Sequence, residues 1–183
     1  MKLVSLFALL SFALPLAAQD TPEMPKPGKE HQKLQASVGT WDAVMEMTGE
    51  DGKPMTSKGV SVRHMAAGGF FLIDDFEGEM MGMKFVGHGL TGYDPLKGKY
   101  VGTWIDSMSP NLGVSEGGFD KEGKVLTMTM TGPGMDGKPV TMRMVSTMTD
   151  ANTEVFEMFA PGPDGKEMRM MKITYNKRVE KKK

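Results

Sequence analysis

Hydrophobic and polar residues alternate along most of this chain. In Lys124–Thr131 (KVLTMTMT), Leu126, Met128 and Met130 share one side and Thr127, Thr129 and Thr131 the other. Within Val140–Thr149, Val140, Met142 and Met144 oppose Thr141 and Arg143, and in Trp41–Met47 the residues Trp41, Ala43, Met45 and Met47 oppose Asp42 and Glu46. Side chains on a strand point alternately to the two faces of a sheet, so these segments predict strands with one buried and one wet face. Turn clusters punctuate them at Glu50–Pro54, Ala66–Gly69, Tyr93–Lys99, Asp120–Lys124, Gly132–Pro139, Thr149–Thr153 and Ala160–Lys166. Their Asp-Gly and Asp-Pro steps favour tight turns, because Gly tolerates positive φ and Pro fixes φ. The pattern predicts an all-β fold of about ten strands, closed as an up-and-down antiparallel barrel, since closure removes the exposed edges of so long a sheet. An antiparallel sandwich is the alternative. One short helix precedes the strands, at Lys29–Val38, with Gly39 placed as its C-terminal cap.

The two chain ends read differently. Met1-Lys2 and the 14-residue apolar run Leu3–Leu16 predict a secretory signal over residues 1–18. The run is shorter than the roughly 20 residues that span a bilayer, so the expectation is export to the periplasm or beyond, without membrane insertion. Residues 19–28 form a Pro-rich linker, 29–178 a single barrel domain and 179–183 a basic tail. Of 183 residues, 165 remain after the signal, enough for one domain, with a net charge of −2. So even a balance argues against a nucleic-acid partner. With no cysteine in the chain, disulfides, thiolate catalysis and Cys-based metal sites are excluded. No nucleophile elbow or phosphate-binding glycine loop occurs, and no cofactor is implied. The oligomeric state is left open.

Several residues carry chemistry. Val38-Gly39-Thr40-Trp41 returns as Val101-Gly102-Thr103-Trp104. The first copy resembles the Gly-x-Trp motif of lipocalin-like (calycin) barrels, which implies that Trp41 plugs one barrel end beneath a basic residue of the last strand, Arg178 or Lys177. The second copy, with Gly92-Tyr93-Asp94-Pro95 and Tyr100–Met108, resembles domain-of-unknown-function family 1579 over most of residues 27–178. That resemblance implies a secreted bacterial barrel and no assigned activity.

His64 follows Val60 and Val62 at strand spacing, and His88 lies between Val86 and Leu90, so both fall on apolar stripes. Asp74 belongs to the stripe Leu72, Phe76, and Asp106 shares a face with Trp104 and Met108. A three-residue loop after Ala66 brings Asp74 to the His64 face, whereas a two-residue loop at Ala67-Gly68 puts Phe71, Ile73 and Asp75 there instead. A carboxylate inside a barrel is costly unless paired, and Asp106 with His88 is the expected pair. His88, Trp104, Asp106, His64 and Asp74 are therefore the candidate ligand-orienting set of a lumen. His31 is read as solvent-facing. Methionine reaches 20 residues, with five Met-x-Met pairs. Met is an adaptable filler of apolar space, but soft thioethers also select Cu(I), and Met80, Met81 and Met83 sit in a predicted loop where packing does not explain them. Three functions follow: binding of a small apolar or amphipathic molecule in the lumen, Met-based Cu(I)/Ag(I) binding, and acid–base catalysis by a His/Asp lumen set.

Overall fold

The computed structural model describes residues 23–48, 53–133, 138–162 and 164–179. The expected signal, the start of the linker and residues 180–183 of the tail lie outside the described residues.

Helix α1 spans Lys29–Gln35 and is followed by strands β1 (Gly39–Thr48), β2 (Pro54–Ala66), β3 (Phe71–Met80), β4 (Met83–Asp94) and β5 (Lys99–Asp106). Strands β6 (Ser109–Phe119), β7 (Val125–Pro133), β8 (Pro139–Asp150), β9 (Thr153–Pro161) and β10 (Glu167–Lys177) complete the chain. Each strand pairs antiparallel with its sequence neighbours, and β1 pairs with β10, so ten strands close a barrel. The expected architecture is thus present, and the sandwich is not. No described helix is long and apolar enough to cross a membrane.

Up-and-down connectivity gives the barrel two distinct ends. At the floor, β1 begins and β2 ends beside α1; at the mouth lie the opposite ends of the strands, with the β3–β4 and β5–β6 turns. The helix seals the floor. Leu34 is buried in a cluster with Leu72, Tyr100 and Met128, and the Tyr100 hydroxyl lies 2.6 Å from the Glu30 carboxylate, to which it donates. His31 Nδ1 accepts from the Gly28 amide at 3.0 Å, and its ring packs edge-on against Phe70 and Tyr93. His31 is therefore a capping and packing residue, where solvent exposure was expected. The helix stops at Gln35 with Ala36 as cap, so Gly39 does not terminate it. Gly39 instead opens β1 at φ +138°, with Lys177 lying where a Cβ would stand. That backbone is strained for any residue with a side chain.

Candidate functional site

The register of the ladders decides which side chains enter the lumen. Trp41, Ala43, Met45 and Met47 point inward from β1, and their partners Ser61, Gly59, Ser57 and Met55 do so from β2. Arg63 and Met65 continue that face and meet Asp74 and Leu72 of β3. Further round, Gly89, Gly87, Trp104, Asp106, Met128, Met144, Met158 and Tyr175 follow in register. Three Met-x-Met pairs, at 45/47, 128/130 and 142/144, are inward strand pairs.

A polar cluster lies at the floor. The Arg63 Nε donates to Ser61 Oγ at 2.9 Å and to Asp74 Oδ2 at 3.2 Å, while its Nη1 donates to Glu154. Ser61 donates to Asp74 Oδ1 at 2.6 Å. The guanidinium carbon stands 4.5 Å from the Tyr175 ring centroid and 5.4 Å from that of Trp41. Burial by itself discourages a charge on Arg63, but Glu154 and Asp74 outweigh it and raise its pKa further. Burial likewise raises the Tyr175 phenol, so it stays a neutral hydroxyl. No buried side-chain polar atom among the described residues lacks a partner. Two carboxylates, Asp74 and Glu154, thus share the Arg63 guanidinium.

Trp41 is fully buried, its Nε1 donating to the Ser37 carbonyl at 2.9 Å. Of the two basic residues expected over it, Lys177 is the one in place, 5.2 Å from the ring centroid. Arg178 points outward instead and pairs with Asp42 at 2.7 Å, because residues 177 and 178 face opposite sides of the wall. Arg63, which sequence reasoning missed, completes the stack.

Trp104 lies flat along the wall. A Cβ at Gly87 would fall 2.2 Å from its Cζ2, and one at Gly89 would fall 3.2 Å from its Cε3. The two glycines make a bed for the indole, which also packs against the cluster of Trp41, Phe76 and Phe85. Its Nε1 donates to Asp106 Oδ2 at 3.0 Å, and Asp106 Oδ1 accepts from the Met108 amide at 2.9 Å. Trp104, Asp106 and Asp74 are therefore lumen residues.

The two histidines are not. In the register Val62, Asp75, His88, Ile105, the row lies on the outer wall, where His88 Nδ1 sits 2.7 Å from Asp75 Oδ1. His64 pairs with Ile73 on the same outer face and is exposed. The apolar stripes Val60/Val62 and Val86/Leu90 thus face solvent, whereas the polar partners Ser61 and Arg63 go inside. The expected Asp106–His88 pair does not form, and the acid–base reading loses its imidazoles. Met80 and Met83 are also relocated: they end β3 and β4 as a cross-strand pair, leaving only Met81-Gly82 as a turn.

The lumen is unevenly filled. Trp41, Ala43, Met45, Phe76 and Phe85 are all buried and fill the β1–β4 side. Met148 and Phe156 pack against that cluster and Met144 against the floor cluster of Leu34, Leu72, Tyr100 and Met128, while Ser115, Met142 and Met158 point inward and are only half-buried. A surface depression of about 720 Å³ lies on the outer wall between Asp42, Lys58, Glu77 and Lys84 and is widely open to solvent. A second, of about 50 Å³, lies at the mouth between Met47, Met55, Met81 and Glu79.

The chain belongs to the family described as protein of unknown function (DUF1579), whose model matches residues 26–177. No curated protein matches the sequence. The crystal structure of Rv2717c from M. tuberculosis is similar at a TM-score of 0.63 and 12% identity, covering 83% of this chain and 99% of that one. The S-type phycobiliprotein lyase CPES from Guillardia theta is similar at a TM-score of 0.54 and 11% identity, covering 85% and 100%. At such identities the likeness is one of fold.

Proposed function

We propose that the barrel binds one small, largely apolar molecule in its lumen, against the methionine-rich wall of β7–β10. The observation that carries this reading is the contrast between the buried cluster of Trp41, Ala43, Met45, Phe76 and Phe85 and the half-buried inward Met142 and Met158, which belong to neither packed cluster. Ligand sites of this kind are apolar pockets with a few placed polar groups. Here those groups are the Asp74 carboxylate at the floor and the Trp104–Asp106 pair toward the mouth. Both are acceptors at their free edges, which favours a ligand carrying a hydrogen-bond donor or a positive end. Methionine suits such a wall because its flexible thioether repacks around irregular shapes.

The run Leu3–Leu16 supports export of the chain as part of the same reading; N-terminal sequencing of the mature protein checks it, with a start near Gln19 expected. Titration with Nile red, a neutral apolar fluorophore, tests the lumen. One saturable site per chain is expected, weakened at least tenfold in Ser146→Trp, whose side chain points inward between Leu126 and Phe156. Unchanged binding by a folded Ser146→Trp protein refutes the reading.

A further inference from the structure

The mouth holds a feature that lumen binding does not use. Met47 and Met55 are direct cross-strand partners on the inward face of β1 and β2. Met81 reaches the same place from the neighbouring β3–β4 turn, where it holds φ 53° beside Gly82 at φ 75°. Together with Ser57, Thr56 and Glu79 these three thioethers line a pocket of about 50 Å³. A water molecule's share of the liquid is about 30 Å³, so the space suits an ion and excludes any organic ligand of ordinary size. Core packing does not account for all of these methionines. Met55 is 38% and Met81 47% exposed, so both leave apolar surface in water.

We infer that Met47, Met55 and Met81 form a binding site for a single soft monovalent cation, Cu(I) or Ag(I). Thioether sulfur is a soft, neutral donor that prefers Cu(I) over harder metals. Hard cations such as Ca²⁺ and Mg²⁺ require several oxygen ligands, and Glu79 is the one acidic residue among those lining this pocket. Among the described residues, no cluster of three His, Cys, Asp or Glu side chains offers a rival metal site. The donor set differs from the sequence-based one, Met80, Met81 and Met83. Met80 packs against the aromatic core and Met83 is its cross-strand partner, and neither lines the pocket. Because thioethers need no deprotonation, binding does not weaken through the range where imidazole or thiolate sites lose their metal.

The test is a titration of the full chain with silver nitrate in chloride-free buffer, read by native mass spectrometry and calorimetry. Anaerobic competition against bicinchoninate for Cu(I) accompanies it. One ion per chain is expected. Met55→Leu/Met81→Leu, two exposed positions whose replacement leaves the core intact, weakens it at least tenfold with an unchanged circular dichroism spectrum. Met108→Leu/Met168→Leu, exposed methionines outside the pocket, leaves affinity within twofold. Absence of a bound ion in the parent protein, retention of affinity by Met55→Leu/Met81→Leu, or an equal loss in the control pair each overturns the inference. Nile red binding by Met55→Leu/Met81→Leu stays at the parent level, so the two sites are scored separately.

Discussion

Replacing Arg63 by Met isolates the polar floor. The guanidinium is the hub of that cluster: its side chain is 5% exposed, that of its partner Glu154 is 6% exposed, and Asp74 at 24% still borders the lumen. Methionine keeps the apolar stem against Trp41 and Tyr175, so little cavity opens. What is lost is the charge that holds two carboxylates out of water. Removing one partner of a buried ion pair costs about 3–5 kcal/mol, and loss of the stack over Tyr175 and Trp41 adds about 1 kcal/mol. Urea unfolding followed by circular dichroism reads the sum, with about 4–6 kcal/mol expected at pH 8 by adding those two terms. Adding Glu154→Gln to Arg63→Met restores about 1–3 kcal/mol, the desolvation penalty of an unsatisfied group. A loss below about 1 kcal/mol, the level of an exposed pair, or a deficit that Glu154→Gln does not reduce refutes the account of the floor.

Other expectations follow from the same geometry. Gly87→Ala drives a Cβ into the indole of Trp104, so thermal unfolding should show a loss of about 1–3 kcal/mol typical of overpacking, with weaker Nile red binding as the ring swings inward. Tyr100→Phe removes a hydrogen bond to a charged group and should cost about 1.5–3 kcal/mol in urea. Hydrogen bonds from Lys33 and then Tyr100 hold Glu30 below the usual carboxylate range. Its contribution is therefore complete above an unfolded pKa of about 4.3 and is lost as pH falls through the lower folded value. Acid titration of Glu30→Gln should accordingly show less stability lost below about pH 4 than the parent shows. Gly39→Ala, forced to φ +138° against Lys177, should lower the unfolding midpoint; an unchanged midpoint contradicts the strain.

The strands are legible in the chain because Thr-Met alternation has one meaning on a pleated backbone. Which face turns inward is less legible. Val60 and Val62 make β2 look buried on the wrong side, because its inward row, Gly59, Ser61 and Arg63, is polar or small. Only the cross-strand register to Trp41 and Asp74 reveals it. His88 inherits the same inversion on β4. Arg63 and Glu154 were findable in part: Glu154 heads the stripe Phe156, Met158, Ala160, and a carboxylate so placed demands a cation. The pocket of Met47, Met55 and Met81 depends on two hairpin ends lying side by side, which spacing along the chain does not encode.

The lumen account is tested most directly by ¹³C-methyl-methionine NMR during titration with Nile red. The account predicts that Met142, Met144, Met148 and Met158 shift together and saturate at one equivalent, while exposed Met24 and Met108 stay fixed. Shifts confined to the exposed methyls, or none at all, would show that the barrel interior takes no ligand.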